Sequence, residues 1–155
     1  MNVPLSELAR SIDLAGPGQE ALRLAFGLAC VERVQHLLED PKAVDCLAVL
    51  RDFVAQQGSA AELAQARDLI AEVANSHRGS NSIDGTAHAA VSATYAVANA
   101  LAGRALEAAS YAAYASVYAY GGYAVNDPAA FEPEFQWQVD KLGSLARNIS
   151  GALSK

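Results

Sequence analysis

The chain has 155 residues, 52% of them apolar and 18% charged, with a formal net charge of −6. That length suits one domain with a sizeable core, and the spread of Leu, Ile, Val and Phe along it excludes a disordered chain. The acidic balance argues against direct nucleic-acid binding and against an anionic membrane surface, and favours a basic protein partner.

No stretch alternates with period two, and helix signals follow one another from end to end. A short first helix is predicted over 4–12, broken by Gly16-Pro17-Gly18. The second runs over 19–39, with Leu22, Phe26, Cys30, Val34 and Leu37 on its apolar face. Asp40 is placed to N-cap the third helix and Pro41 to take its first position. Its apolar face is read as Val44, Leu47, Leu50 and Val54, with Ala48 and Phe53, ending at Gly58. Ser59-Ala-Ala-Glu62 is a capping box that starts the fourth helix, carrying Leu63, Ala66, Leu69, Ile70 and Val73 to about Asn75. A polar loop over 76–82 follows, then helices over 83–102 and on to Tyr120, joined at Gly103. Gly121-Gly122 is a strong stop, Pro128 and Pro133 keep the next segment irregular, and a last helix is predicted over 134–153.

These signals predict an all-α fold: a single helical domain over 1–155, a compact bundle of six to seven helices. It divides into an N-terminal helix and turn (about 1–16), helices two to four (17–75), an alanine-rich hairpin (83–120) and the last helix (134–153). Fifteen of the 33 residues from Ala87 to Ala119 are alanine. Alanine favours helices and lets their backbones approach near the short end of the usual ~8–10 Å. Each alanine buries little area, so the larger apolar faces of the other helices must fill the remaining space. The tract is therefore predicted at the centre of the bundle.

Cys30 and Cys46 sit in apolar helical patterns and are expected as buried free thiols, not as a disulfide scaffold. The first fifteen residues carry Glu7, Arg10 and Asp13 and lack the apolar core of a signal peptide, while Ala87–Gly103 is too polar for a membrane span. The expected location is cytoplasmic. No nucleophile elbow, Walker loop or dinucleotide fingerprint is present, and no cofactor or metal is expected. His77, Asp84 and His88 can converge across the polar loop, but the simpler reading is a surface cluster. Ser92, Thr94, Ser110 and Ser116 are expected to bond back to their own helices.

The aromatic residues are more informative. Tyr111, Tyr114 and Tyr118 fall at i, i+3 and i+7, and Tyr120 and Tyr123 flank the double glycine. Tyr111 and Tyr114 read as core filler beside small alanines, their phenol tips at the rim. Between Arg104 and Lys141 there is no Lys, Arg or His, whereas Glu107, Asp127, Glu132, Glu134 and Asp140 give that segment a charge of −5. Exposed aromatics with flanking carboxylates suit a protein interface, and the plainer alternative for this segment is a solvated acidic loop that aids solubility. The residues expected to contact a partner are Tyr118, Tyr120, Tyr123, Asp127, Phe131, Glu132, Glu134, Trp137 and Asp140.

The run Ala25-Phe26-Gly27-Leu28-Ala29-Cys30-Val31-Glu32-Arg33, then His36-Leu37-Leu38-Glu39-Asp40, the segment from Ser59 to Arg67, the alanine tract and Gln136-Trp137-Gln138-Val139-Asp140-Lys141-Leu142 together form a pattern. It is similar to immunity proteins encoded beside bacterial polymorphic toxins, and to related alanine-rich helical bacterial domains. The resemblance covers most of the chain, rests on packing motifs and brings no catalytic residues. It implies a non-enzymatic, antitoxin-like protein that binds and neutralises a cognate toxin domain, basic by charge complementarity. Two other readings stand beside it: a helical scaffold or oligomerising interaction module, and a small metal-dependent or acid–base enzyme using His77, Asp84 and His88.

Overall fold

The computed structural model describes residues 2–76 and 86–153, so His77 and Asp84 lie outside the described residues. Those residues form seven α-helices and no strand: α1 (Val3–Ser11), α2 (Glu20–Glu32), α3 (Pro41–Val54), α4 (Ala60–Ser76), α5 (Thr86–Leu101), α6 (Ala105–Tyr120) and α7 (Glu132–Leu153). The fold is an all-α bundle, as the periodicity predicts.

Local chemistry sets most of the helix boundaries. Asp40 Oδ1 accepts from the Lys42 N–H at 2.8 Å and Pro41 begins α3. Ser59 Oγ accepts from the Glu62 N–H at 3.1 Å, and its hydroxyl donates to Glu62 Oε1, also at 3.1 Å. The box thus closes side chain to side chain at its second bond. Gly103 ends α5 in the left-handed region (φ 78°). Its N–H reaches the Ala100 carbonyl while the Arg104 N–H reaches that of Asn99, which is a Schellman motif.

Two helices end earlier than periodicity predicts. α2 stops at Glu32, and a 3-10 turn over Gln35–Leu37 replaces its last two turns. Val34 leaves helical geometry (φ −122°, ψ 12°) and places its side chain in the core. α3 stops at Val54, before Gly58, because Gln56 adopts φ 63° and closes a Schellman motif with the Asp52 and Phe53 carbonyls. The buried stripe of α3 is Ala43, Cys46, Leu47 and Leu50, and Val44 is 48% exposed. The stripe fixed by Pro41 at the first position leaves Val44 one step outside it.

The alanine tract occupies the centre. α5 and α6 make the most extensive helix pair, and α2 touches both. On their inner side Ala93, Ala96, Ala100, Ala108, Ala109 and Ala112 are buried to the last atom. Phe26, Leu50, Ile70 and Leu142, from α2, α3, α4 and α7, fill the same core. Gly27 of α2 lies tight against α5: an added Cβ would stand 3.1 Å from the Ala100 Cβ and 3.2 Å from its Cα. α3 and α4 pair and cover α5, while α7 closes against α2 and α6 with α1 upon it. No helix among the described residues is long and apolar enough to cross a membrane.

Candidate protein-binding surface

The side of the α5–α6 hairpin opposite its alanine face carries tyrosines. Tyr111 and Tyr114, for which the sequence favours core filler but leaves a surface place open, are 38% and 41% exposed and lie on the surface side. The neighbouring alanines of α6 already fill the inner side, so the stripe at i, i+3 and i+7 must face out. Tyr95 of α5 stacks on Tyr111, with ring centroids 5.3 Å apart and planes at 22°. Tyr118 meets Tyr114 at 6.3 Å and His88 at 5.3 Å. Ser92, Asn99 and Ser110 follow the same stripes at partial or full exposure. Thr94 alone of the four tract hydroxyls is buried, and it bonds back to the Ala90 carbonyl at 2.8 Å.

Beyond α6 the chain folds into two 3-10 turns, Gly122–Asn126 and Pro128–Phe131. Tyr120 and Tyr123 stand at 80% and 76% exposure on either side of the double glycine. Asp127 is exposed, and its Oδ1 caps the second turn by accepting from the Ala129 N–H at 3.1 Å. Ala113, Val117, Ala124 and Phe131 form a small second core under these turns.

The predicted contact residues therefore divide. Tyr120, Tyr123, Asp127, Glu132 and Asp140 are exposed, and Tyr118 is partly so. Phe131 is 8% exposed, held edge-on against Tyr114 at 5.2 Å and beside Phe135 at 5.5 Å. It anchors the turns to α6.

Glu134 is a second correction. It is 8% exposed, and its two oxygens accept from Arg33 Nε at 2.5 Å and Nη2 at 2.9 Å. The same guanidinium lies 4.2 Å above the Trp137 ring, so Trp137 is half-covered. A bidentate, charge-assisted pair with a stacked aromatic is the arrangement that arginine's planar fork suits best. It ties the end of α2 to the first turn of α7 and neutralises one carboxylate of the acidic segment. Nothing local in the sequence signals this pair, since 101 residues separate its members.

Glu132, Gln136 and Asp140 follow at i, i+4 and i+8 on another side of α7, all exposed, with Gln136 Nε2 donating to Asp140 Oδ1 at 3.0 Å. The open surface thus consists of a tyrosine face with Ser and Asn between the rings and carboxylates along one border. Tyr95, Ser92 and Asn99 were not among the predicted contacts. Their i−3, i and i+4 spacing around Tyr95 on α5 is the signal that places them there.

Cys30 and Cys46 are free and buried. Burial pushes the Cys30 thiol far up, and the nearby Glu134 carboxylate adds to it. Burial likewise raises Cys46, whose Sγ approaches the Ala66 carbonyl at 3.5 Å. Neither thiol is set up as a nucleophile.

Comparison of the chain with protein-family models, with curated proteins and with solved structures found no match.

Proposed function

We propose that the chain is a non-enzymatic protein-binding domain and works as an immunity protein, covering a cognate toxin domain with its tyrosine face. The observation that carries this reading is the placement of the six tyrosines. All lie on α5, α6 or the turn after it, and Tyr111, Tyr114, Tyr120 and Tyr123 are more than a third exposed. Tyrosine offers large, rigid, amphipathic contact area at low entropy cost, and Ser and Asn between the rings supply adaptable hydrogen bonds. Hot spots of protein interfaces are enriched in such residues. The carboxylates of Asp127, Glu132 and Asp140 would steer a basic partner. The resemblance of the helical pattern to immunity proteins makes a toxin the favoured partner.

The test is co-expression with toxin domains encoded beside this gene. The wild-type chain restores growth and co-purifies with its toxin, and the double variant Tyr111→Ser, Tyr114→Ser loses both while staying folded. If no toxin is neutralised and none co-purifies, the proposal fails. Light scattering that shows concentration-dependent self-assembly through the same tyrosines would favour the scaffold reading instead.

A further inference from the structure

A groove of about 800 Å³ runs between the first turn of α1, α6 and the start of α7. That volume falls in the range of sites that enclose a ligand or an anchoring segment, roughly 300–1,000 Å³. Its lining is more apolar than polar: Leu106, Tyr114, Phe131, Phe135 and Val139 supply apolar surface, and Ser6, Ser110 and Asn126 supply polar surface among them.

Its floor is polar and already ordered. Gln138, 1% exposed, donates from Nε2 to the Ala109 carbonyl at 2.8 Å. Its Oε1 accepts from Asn2 Nδ2 at 3.2 Å, and that amide also donates to the Phe135 carbonyl at 3.3 Å. Asn2 Oδ1 meanwhile caps α1 by accepting from the Leu5 N–H at 3.2 Å. One chain of hydrogen bonds thus locks three helices around the groove, which is therefore preorganised.

Among the described residues, Glu132 is the one charged residue that lines it, and it is exposed. Gln136, another lining residue, holds the Asp140 carboxylate nearby. Apolar walls with a single carboxylate suit an amphipathic cation. Its aliphatic stem would lie along Leu106, Phe135 and Val139, and its charge would meet Glu132 and the Tyr114 ring. An acidic group would meet like charge, with no lining cation among the described residues to offset it.

Tyr114 belongs both to this groove and to the tyrosine face, so the two are continuous. We infer that the groove seats an apolar segment bearing an arginine or lysine, contributed by the protein that docks on the tyrosine face. This rests on the protein-binding reading given above.

The experiment is an NMR titration of the full chain with acetyl-Leu-Arg-Phe-amide and its acidic twin, acetyl-Leu-Glu-Phe-amide. The basic peptide shifts the amide signals of Ser110, Phe135 and Val139, and the acidic one binds about three- to fivefold more weakly, the scale of one exposed ion pair. Glu132→Gln removes that difference. Ser110→Trp, at an exposed lining position, fills the groove and abolishes binding with the helical circular dichroism unchanged. Absence of groove shifts with both peptides, equal affinity of the two for the wild-type chain, or undiminished binding to a folded Ser110→Trp overturns the inference. Because no toxin enters the titration, groove binding without neutralisation sinks only the immunity reading. Neutralisation without groove binding sinks only this inference.

Discussion

The two sides of the α5–α6 hairpin are built from the same helices and differ in almost every other respect. The inner side is alanine and closed, with Gly27 of α2 pressed against Ala100. The outer side is tyrosine, serine and asparagine, half open, with rings that stack on one another. Small residues inside bring the helices together, and large amphipathic ones outside remain for another molecule. The same contrast recurs two residues apart on α7, where Glu134 is buried on Arg33 and Glu132 faces solvent.

That pair of glutamates gives the largest expected effect. Arg33→Ala leaves the Glu134 carboxylate buried without its partner. Breaking a buried pair costs 3–5 kcal/mol, and the lower end applies here, about 3 kcal/mol, because the Arg33 side chain is 38% exposed. Glu132→Gln has no buried partner to strand and shifts stability by less than about 0.5 kcal/mol. Urea unfolding of both variants measures the difference. Equal midpoints would erase the distinction between the inner and outer carboxylates.

Next in size is the contrast across α6 itself. Ala109→Leu or Ala112→Leu overpacks the closed side at a cost of about 1–3 kcal/mol. Tyr111→Ser loses one stacked pair at the open side, about 0.5–1 kcal/mol, and is expected to weaken partner binding far more than stability. Thermal scans set beside affinity measurements separate the two. A Leu at either alanine that leaves the melting temperature unchanged would show that the inner side has room it is not expected to have.

Gly27→Ala tests the same closure from α2. A central glycine costs a helix roughly 1 kcal/mol relative to alanine, so propensity alone predicts a gain. The new methyl would stand 3.2 Å from the Ala100 Cα, and backbone yields less readily than a side-chain tip. The contact is expected to win, for a net loss of about 1 kcal/mol by chemical denaturation. A gain would mean that α2 and α5 can separate slightly at no cost.

What was legible in the sequence was what depends on neighbours along the chain. The Asp40-Pro41 start, the Ser59–Glu62 box and the Gly103 joint are local devices, and each is where the residues predict it. The alanine tract was legible as a packing device because residue size limits helix approach. The exposed part of the site was half legible. Tyr120, Tyr123 and Asp127 followed from the glycine turn, whereas Tyr111 and Tyr114 depended on which side of α6 the bundle would choose. Arg33 with Glu134, Val34 at the early end of α2, and Asn2 with Gln138 depend on contacts far apart in sequence, which periodicity cannot show. Phe131 was misplaced for a related reason: an aromatic beside an acidic run reads as surface until a second small core is known to lie beneath it.

The smallest effect compares the two hairpin joints. α5–α6 turns at Gly103 with φ 78°, and α3–α4 turns after Gln56 with φ 63°. Both close Schellman motifs, through Ala100 and Asn99 in one case and Phe53 and Asp52 in the other. Only glycine adopts this backbone without a steric penalty, so the α3–α4 joint carries strain that the central hairpin avoids. Gln56 is exposed, so little else is lost on replacing it. Gln56→Gly is therefore expected to stabilise the fold by about 0.5–1 kcal/mol, with part of the relief offset by the greater freedom of glycine in the unfolded chain. Gly103→Ala should cost about 1 kcal/mol, since no atom of the described residues lies within 4 Å of the added methyl and the backbone angle opposes it. Opposite signs in paired denaturation curves would confirm that the φ value sets the outcome at both joints. A stabilising Gly103→Ala would instead mean that the central hairpin can turn through a different geometry, and that its tight inner side is held by the alanines alone.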